Sequence, residues 1–100
     1  MEAQKPEDVY DDIVAHIKKQ GGEPSGWYAG IASDWKDRLY NQHNVPKKDY
    51  WWIARQCYTN EAARKVERAL LNYDCDGGGG GGDETTVYVY AYLKGDMTDP

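Results

Sequence analysis

Apolar and polar positions along the chain follow two periods, and the switches between them mark out the elements. Val9, Tyr10, Ile13, Val14 and Ile17 recur at three- and four-residue steps, which predicts a helix with one buried stripe. Pro6, Glu7 and Asp8 suit its first turn, and Lys18, Lys19 and Gly21-Gly22 end it. Glu23 to Gly26 is turn chemistry, after which Trp27-Tyr28-Ala29-Gly30-Ile31-Ala32 reads as a short strand. Asp34 is placed to cap a second helix over Trp35 to His43, with Leu39 on its buried side and Asn44 and Pro46 as its stop. Tyr50 to Tyr58, rich in aromatic and β-branched residues, predicts a second strand. Thr59 caps a third helix from Asn60 to Tyr73, whose stripe is Ala62, Val66, Ala69, Leu70 and Tyr73. Val87 to Tyr92 alternates with period two, setting Tyr88, Tyr90 and Tyr92 on one face and Val87, Val89 and Ala91 on the other.

This order predicts an α+β fold: a small three-stranded, mainly antiparallel sheet with about three flanking helices, in a single domain over residues 1–100. Asp74 to Glu84 holds six consecutive glycines, Gly77 to Gly82, and predicts a mobile loop over residues 76–84. Ordering such a run costs more backbone entropy than ordering any other residue type.

Composition changes the picture in two ways. There is no Phe, but there are nine Tyr and four Trp, so the core and any cleft must be built from aromatics that carry a polar tip. The formal charge of -5, from 17 acidic and 12 basic residues, opposes non-specific binding to a polyanion. Any nucleic-acid role therefore needs a local basic patch. No apolar run approaches the roughly 18 residues of a membrane span, and Met1 to Asp8 lacks the basic start and apolar stretch of a signal peptide. A soluble, cytoplasmic protein is expected. Cys57 and Cys75 make neither a disulfide framework nor a four-ligand zinc site, and reduced structural thiols are expected.

One constellation carries candidate chemistry. Tyr28-Ala29-Gly30 lies on a strand, Arg38 falls ten residues beyond Tyr28 on the next helix, and His43 follows near that helix's end. In Ala62-Ala63-Arg64-Lys65-Val66-Glu67-Arg68-Ala69-Leu70-Leu71, Glu67 lies at the edge of the apolar stripe beside Ala63 and Leu70. Together these residues, over roughly Trp27 to Leu71, resemble the second half of the GIY-YIG nuclease motif. The resemblance implies a metal-dependent phosphodiesterase in which Tyr28 helps activate the nucleophilic water, Arg38 steadies phosphate charge and Glu67 binds Mg²⁺ or Mn²⁺. Gly30 and His43 would support them. The family's opening Gly-Ile-Tyr strand has no counterpart in Lys18 to Gly26. Val87 to Tyr92 is therefore expected to fill that sheet position, as in a circular permutation, bringing Tyr88 or Tyr90 beside Tyr28. The chemistry suits the residues: a guanidinium offers forked donors to phosphate, and a hard cation on a carboxylate activates water.

Simpler roles exist for each residue. Tyr28 and Gly30 serve equally as an ordinary strand tyrosine and a packing glycine. Arg38 could pair with Asp34 or Asp37, Glu67 with Arg64 or Lys65, and His43 with its helix dipole. The glycine run follows a helix and lacks a Gly-Lys-Ser/Thr ending, which argues against nucleotide binding, and Asp74, Asp76, Asp83 and Glu84 beside it read as a solvated linker rather than a cation site. Two functions remain open. One is a nuclease with a nucleic-acid partner, which requires Lys36, Arg38, Lys47, Lys48 or Arg55 in a basic cleft close to Glu67. The other is a non-catalytic, acidic, tyrosine-rich domain that binds or inhibits a protein partner. Tyr88, Tyr90 and Tyr92, with Trp51 or Trp52, would then form an aromatic platform, although tyrosines packed in the core are the plainer expectation.

Overall fold

The computed structural model describes residues 1–78 and 82–100. Its elements in order are β1 (Ala3–Gln4), α1 (Pro6–Gln20), β2 (Trp27–Ala32), a π-helix (Asp37–Gln42), β3 (Trp52–Cys57), α2 (Asn60–Asn72) and β4 (Tyr88–Leu93). A single 3₁₀ turn, Pro24–Gly26, leads into β2. The helix boundaries follow the chemistry of their ends. Pro6 opens α1, and Gly21, at φ 82, closes it by donating its N–H to the Lys18 carbonyl. The Thr59 hydroxyl accepts the Ala62 N–H at 3.1 Å and caps α2. Thr59→Ala should cost about 1 kcal/mol of stability. A melt with no loss of stability in that variant would show that the cap contributes nothing.

The sheet has four strands in the order β1-β3-β4-β2 and is mixed, not three-stranded. The added strand is β1, which pairs parallel to β3 through Ala3↔Gln56 and Gln4↔Cys57. Two residues are too short to show any period, so this strand exists only through its partner. Asp12 holds the corner, accepting from Gln4 Nε2 at 3.2 Å and Arg55 Nε at 3.1 Å. The two long pairings are antiparallel: β4 lies between β3 and β2, with Gly30↔Tyr90 and Tyr28↔Tyr92 in register.

The alternation of β4 divides the molecule into two layers of packing. Val89 and Ala91 face the helices and join Val9, Ile13, Ile17, Trp27, Val66 and Leu70 in the larger core. Tyr90 and Tyr92 face the other way and pack with Leu39, Val45 and Ala54, bordered by Tyr28, Trp35, Tyr40 and Trp52. Tyr90 is 1% exposed and Tyr92 is fully buried, so these tyrosines are core and do not form an aromatic platform. Cys57 and Cys75 are buried free thiols, and burial pushes both up to about 11, which leaves them protonated and unreactive at neutral pH. No helix among the described residues is long and apolar enough to cross a membrane.

Two other expectations change on folding. The segment from Trp35 to His43 is expected to be α-helical, but its centre is a π-helix: the His43 N–H reaches back five residues to the Arg38 carbonyl at 2.9 Å. Asp34 still caps it, accepting the Asp37 N–H at 3.1 Å. Asp76, placed by its sequence in the expected loop, pairs with β2. Asp76 lies along the outer edge of β2, donating to the Trp27 carbonyl and accepting from the Ala29 N–H, both at 2.8 Å. Lys94 Nζ pins its carboxylate at 3.1 Å. The mobility expected of residues 79–81 lies outside the described residues.

Candidate functional site

Four elements bring their side chains to one cavity of about 360 Å³. Tyr28, Gly30 and Ile31 come from β2, Arg38 from the π-helix, Glu67 from α2 and Tyr90 from β4, with Ser33, Gly78, Gly82 and Thr86 completing the wall. The sequence candidates Tyr28, Gly30, Arg38, Glu67 and Tyr90 thus meet in one place. Tyr88 does not: it sits opposite Ala32, two register steps along β4 from Tyr90, and lies outside the cavity wall.

The pairing of β4 with β2 sets the tyrosines side by side. Tyr28 stacks near-parallel on Tyr90 at 6.5 Å and on Tyr92 at 5.4 Å between ring centroids. Gly30 makes room for this, since a Cβ there would come within 2.5 Å of the Tyr90 hydroxyl. His43 is buried beneath these rings at 7% exposure. Its Nε2 lies 2.8 Å from the Tyr90 hydroxyl, and its Nδ1 lies 3.0 Å from the Tyr92 hydroxyl and 2.7 Å from the Asp99 carbonyl. The π-helix explains how Arg38 and His43, five residues apart, both reach Tyr90, because the wider turn brings residues at that spacing to the same side.

The charged groups of the cavity are not consumed by one another. Among the described residues neither Arg38 nor Glu67 takes part in an ion pair; the salt bridges join Arg55 to Asp12 and Lys94 to Asp76. Asp37 is instead occupied by Asn41 at 2.9 Å and Gln42 at 3.0 Å. Arg38 Nε is buried with no hydrogen-bond partner. Glu67 is 6% exposed, and burial pushes its carboxyl above the usual range, opposed by Arg64 and Arg68. Burial likewise raises Tyr28, helped by nearby Asp76, and pushes Tyr90 up to about 12 against the influence of Arg38. A buried guanidinium N–H without an acceptor and a buried carboxylate outside any ion pair are costly unless a ligand completes them.

No family model, no curated protein and no solved structure matches this chain.

The basic residues do not gather as the nuclease reading expects. Only Arg38 joins Glu67; Lys36 and Lys47 line a separate shallow cleft with Asp34, Asp37 and Tyr40, lying over the Trp35 and Tyr40 rings at 5.6 and 5.5 Å. Lys48 is exposed and Arg55 is held by Asp12 on another face. The described residues contain no group of three or more His, Cys, Asp or Glu able to hold a metal ion. The alternation of β4 puts Tyr92 on the face of Tyr90, but the contacts of Tyr92 and Asp99 with His43 span 49 and 56 residues and have no signal in the sequence.

The buried imidazoles make stability depend on pH. His43 is lowered below 6.5 mainly by burial, with Arg38 adding to the shift and the Asp99 carbonyl opposing it. His16, wedged between Trp27 and Trp51, is lowered first by burial and then by Arg55 and Lys19. The unfolded chain therefore binds protons near pH 6.5 that the folded chain refuses, so stability is lost as pH falls from 6.5 through the folded values. Glu67 works the other way, since its raised carboxyl takes up a proton earlier in the folded chain. With two imidazoles against one carboxyl, the melting temperature should drop between pH 8 and pH 5.5, and less so in His16→Gln. A melting temperature that is flat over that range would contradict this account.

Proposed function

We propose that the chain is a metal-dependent nucleic-acid phosphodiesterase of GIY-YIG type, working in the cavity between β2, the π-helix and α2. One observation supports it above the others: Arg38, with its buried Nε unsatisfied, and Glu67, which has no ion pair among the described residues, share a cavity with Tyr28 and Tyr90. An anion and a cation would satisfy both groups, and a phosphodiester with its divalent ion supplies the two together.

The residues fit a cation of the Mg²⁺ or Mn²⁺ class. Glu67 offers a carboxylate in no ion pair among the described residues, and such ions are commonly held by one or two carboxylates plus waters and substrate phosphate. When bound, the ion supplies Lewis-acid polarisation of the phosphate and lowers the pKa of a bound water. Arg38 then places its guanidinium on a non-bridging phosphate oxygen, where its buried Nε finds the acceptor it lacks. Tyr28 and Tyr90 orient the attacking water with their hydroxyls, and Tyr90 passes its proton on. With charge -5 and one arginine in the cavity, affinity rests on the ion rather than on a basic groove, so binding without a divalent cation should be weak.

The test is cleavage of single-stranded, branched and supercoiled DNA and of RNA with Mg²⁺ or Mn²⁺, for wild type, Arg38→Ala and Glu67→Ala. Cutting by wild type that is lost in both folded variants is the expected result. The acidic charge favours a second reading, a non-catalytic domain that binds a protein partner. Absence of cutting on every substrate would leave that one standing.

A further inference from the structure

The segment after β4 closes back on the site. The Asp99 N–H donates to the His43 carbonyl at 2.7 Å, and the Asp99 carbonyl lies 2.7 Å from His43 Nδ1. Residue 99 therefore clamps both the backbone and the ring of His43. The consequence is chemical. A carbonyl oxygen only accepts, and a bare Nδ1 facing it at that distance would set two lone pairs against each other. Nδ1 must carry a proton, which it shares with the Tyr92 oxygen at 3.0 Å. Burial keeps the ring neutral, so Nε2 is bare and the Tyr90 hydroxyl, 2.8 Å away, must be the donor.

We propose that the segment after β4 is a working part of the site: through the Asp99 carbonyl it fixes the neutral Nδ1–H tautomer of His43, making Nε2 the acceptor of the Tyr90 proton. His43 is a positioning residue that acts through Tyr90. The inference rests on the nuclease reading for its use. The proton path is a relay. The Tyr90 O–H bond breaks as Nε2–H forms, while the phenolate oxygen takes a proton from the attacking water. Hydroxide, neutral Tyr90 and an imidazolium result, and the return path to solvent is the same one in reverse. Tyr90 needs this acceptor, because its burial makes a standing phenolate unaffordable. The groups facing the ring are Tyr28 from β2, Tyr90 and Tyr92 from β4, Arg38 from the π-helix and Asp99 from the closing segment.

The test is ¹⁵N NMR of the histidine-labelled full chain at pH 7.5, with His16→Gln used to assign the two rings. Wild type should show a protonated Nδ1 and a bare Nε2; a protonated Nε2 overturns the proposal. Asp99→Pro removes the N–H that clamps the His43 carbonyl and should populate the Nε2–H form, while Asp99→Ala, which keeps both backbone groups, should match wild type. An unchanged tautomer in Asp99→Pro also overturns it. In the cleavage assay Asp99→Pro should lose roughly tenfold to a hundredfold in kcat at unchanged KM and melting temperature. A kcat equal to wild type counts against the relay. The tautomer is read without substrate, so an inactive wild type would defeat the nuclease reading while the NMR outcome still decides this one.

Discussion

Glu67→Gln should make the protein more stable and inactive at the same time. The carboxylate is 6% exposed, has no ion pair or hydrogen bond among the described residues, and is pushed by burial toward its neutral form. At neutral pH the folded chain therefore bears the cost of a buried charge that Arg64 and Arg68 only partly offset, a cost that the unfolded chain avoids. Glutamine keeps the shape and removes the charge. The expected gain is about 1 kcal/mol or more, which for a domain of this size is roughly 4–8 °C in Tm per kcal/mol. The same change removes the only carboxylate among the described residues of the cavity wall, so metal-dependent cleavage should fall by roughly a hundredfold or more. A second readout separates the two effects: Mn²⁺ should raise the melting temperature of wild type and leave that of Glu67→Gln unmoved, because only a ligand bound to the folded state stabilises it. If Glu67→Gln melts below wild type, the carboxylate is a structural residue and the site is misread.

Gly30→Ala should damage fold and site together. Gly30 is buried opposite Tyr90 in the β2–β4 pairing, and an added Cβ would lie 2.5 Å from the Tyr90 hydroxyl and 2.7 Å from the ring carbon that bears it. The Tyr90 ring cannot yield freely, because His43 holds its hydroxyl at 2.8 Å from below. Overpacking of this kind costs about 1–3 kcal/mol. The tyrosine must also leave its place in the cavity, so activity should fall further than stability alone explains. Gly30→Ala/Tyr90→Val tests the cause: removing the ring should recover much of the lost stability without recovering any cleavage. A double variant no more stable than Gly30→Ala would show that the clash is not the source of the damage.

Much of this fold was legible because its signals are local. Val9, Ile13 and Ile17 of the first stripe are buried as the helical period requires, whereas of the stripe Ala62, Val66, Ala69, Leu70 and Tyr73 only Val66 and Leu70 are fully buried, with Ala63 and Glu67 beside them. The strand over Trp27 to Ala32 lies within the bounds its composition predicts, and the alternation of β4 sorts Val89 and Ala91 from Tyr90 and Tyr92 onto opposite faces. Thr59 and Asp34 cap helices because capping needs only the residue and the next turn of chain. Candidate residues could also be named from spacing along single elements: Tyr28 and Gly30 on one strand, Arg38 on the next helix, Glu67 at the edge of a stripe.

What remained hidden depends on contacts between residues far apart in the chain. The parallel strand Ala3–Gln4 is too short to have a pattern and exists through its pairing with Gln56 and Cys57. Nine residues from Trp35 to His43 are too few to tell a 3.6-residue turn from the wider π turn that actually forms. Which of Tyr88, Tyr90 and Tyr92 faces Glu67 is a question of register, and register is decided by the whole β2–β4 pairing, not by any one tyrosine. Of the lysines expected beside Glu67, Lys36 lies over Trp35 and Lys47 over Tyr40 in a separate cleft, and Lys48 is exposed, placements that the local pattern does not show. The clamp of Asp99 on His43 carries no local signal at all. Periodicity and capping act over one or two turns of chain and are written in neighbouring residues, whereas the assembly of a cavity from four elements is settled only when the core closes and fixes their relative positions.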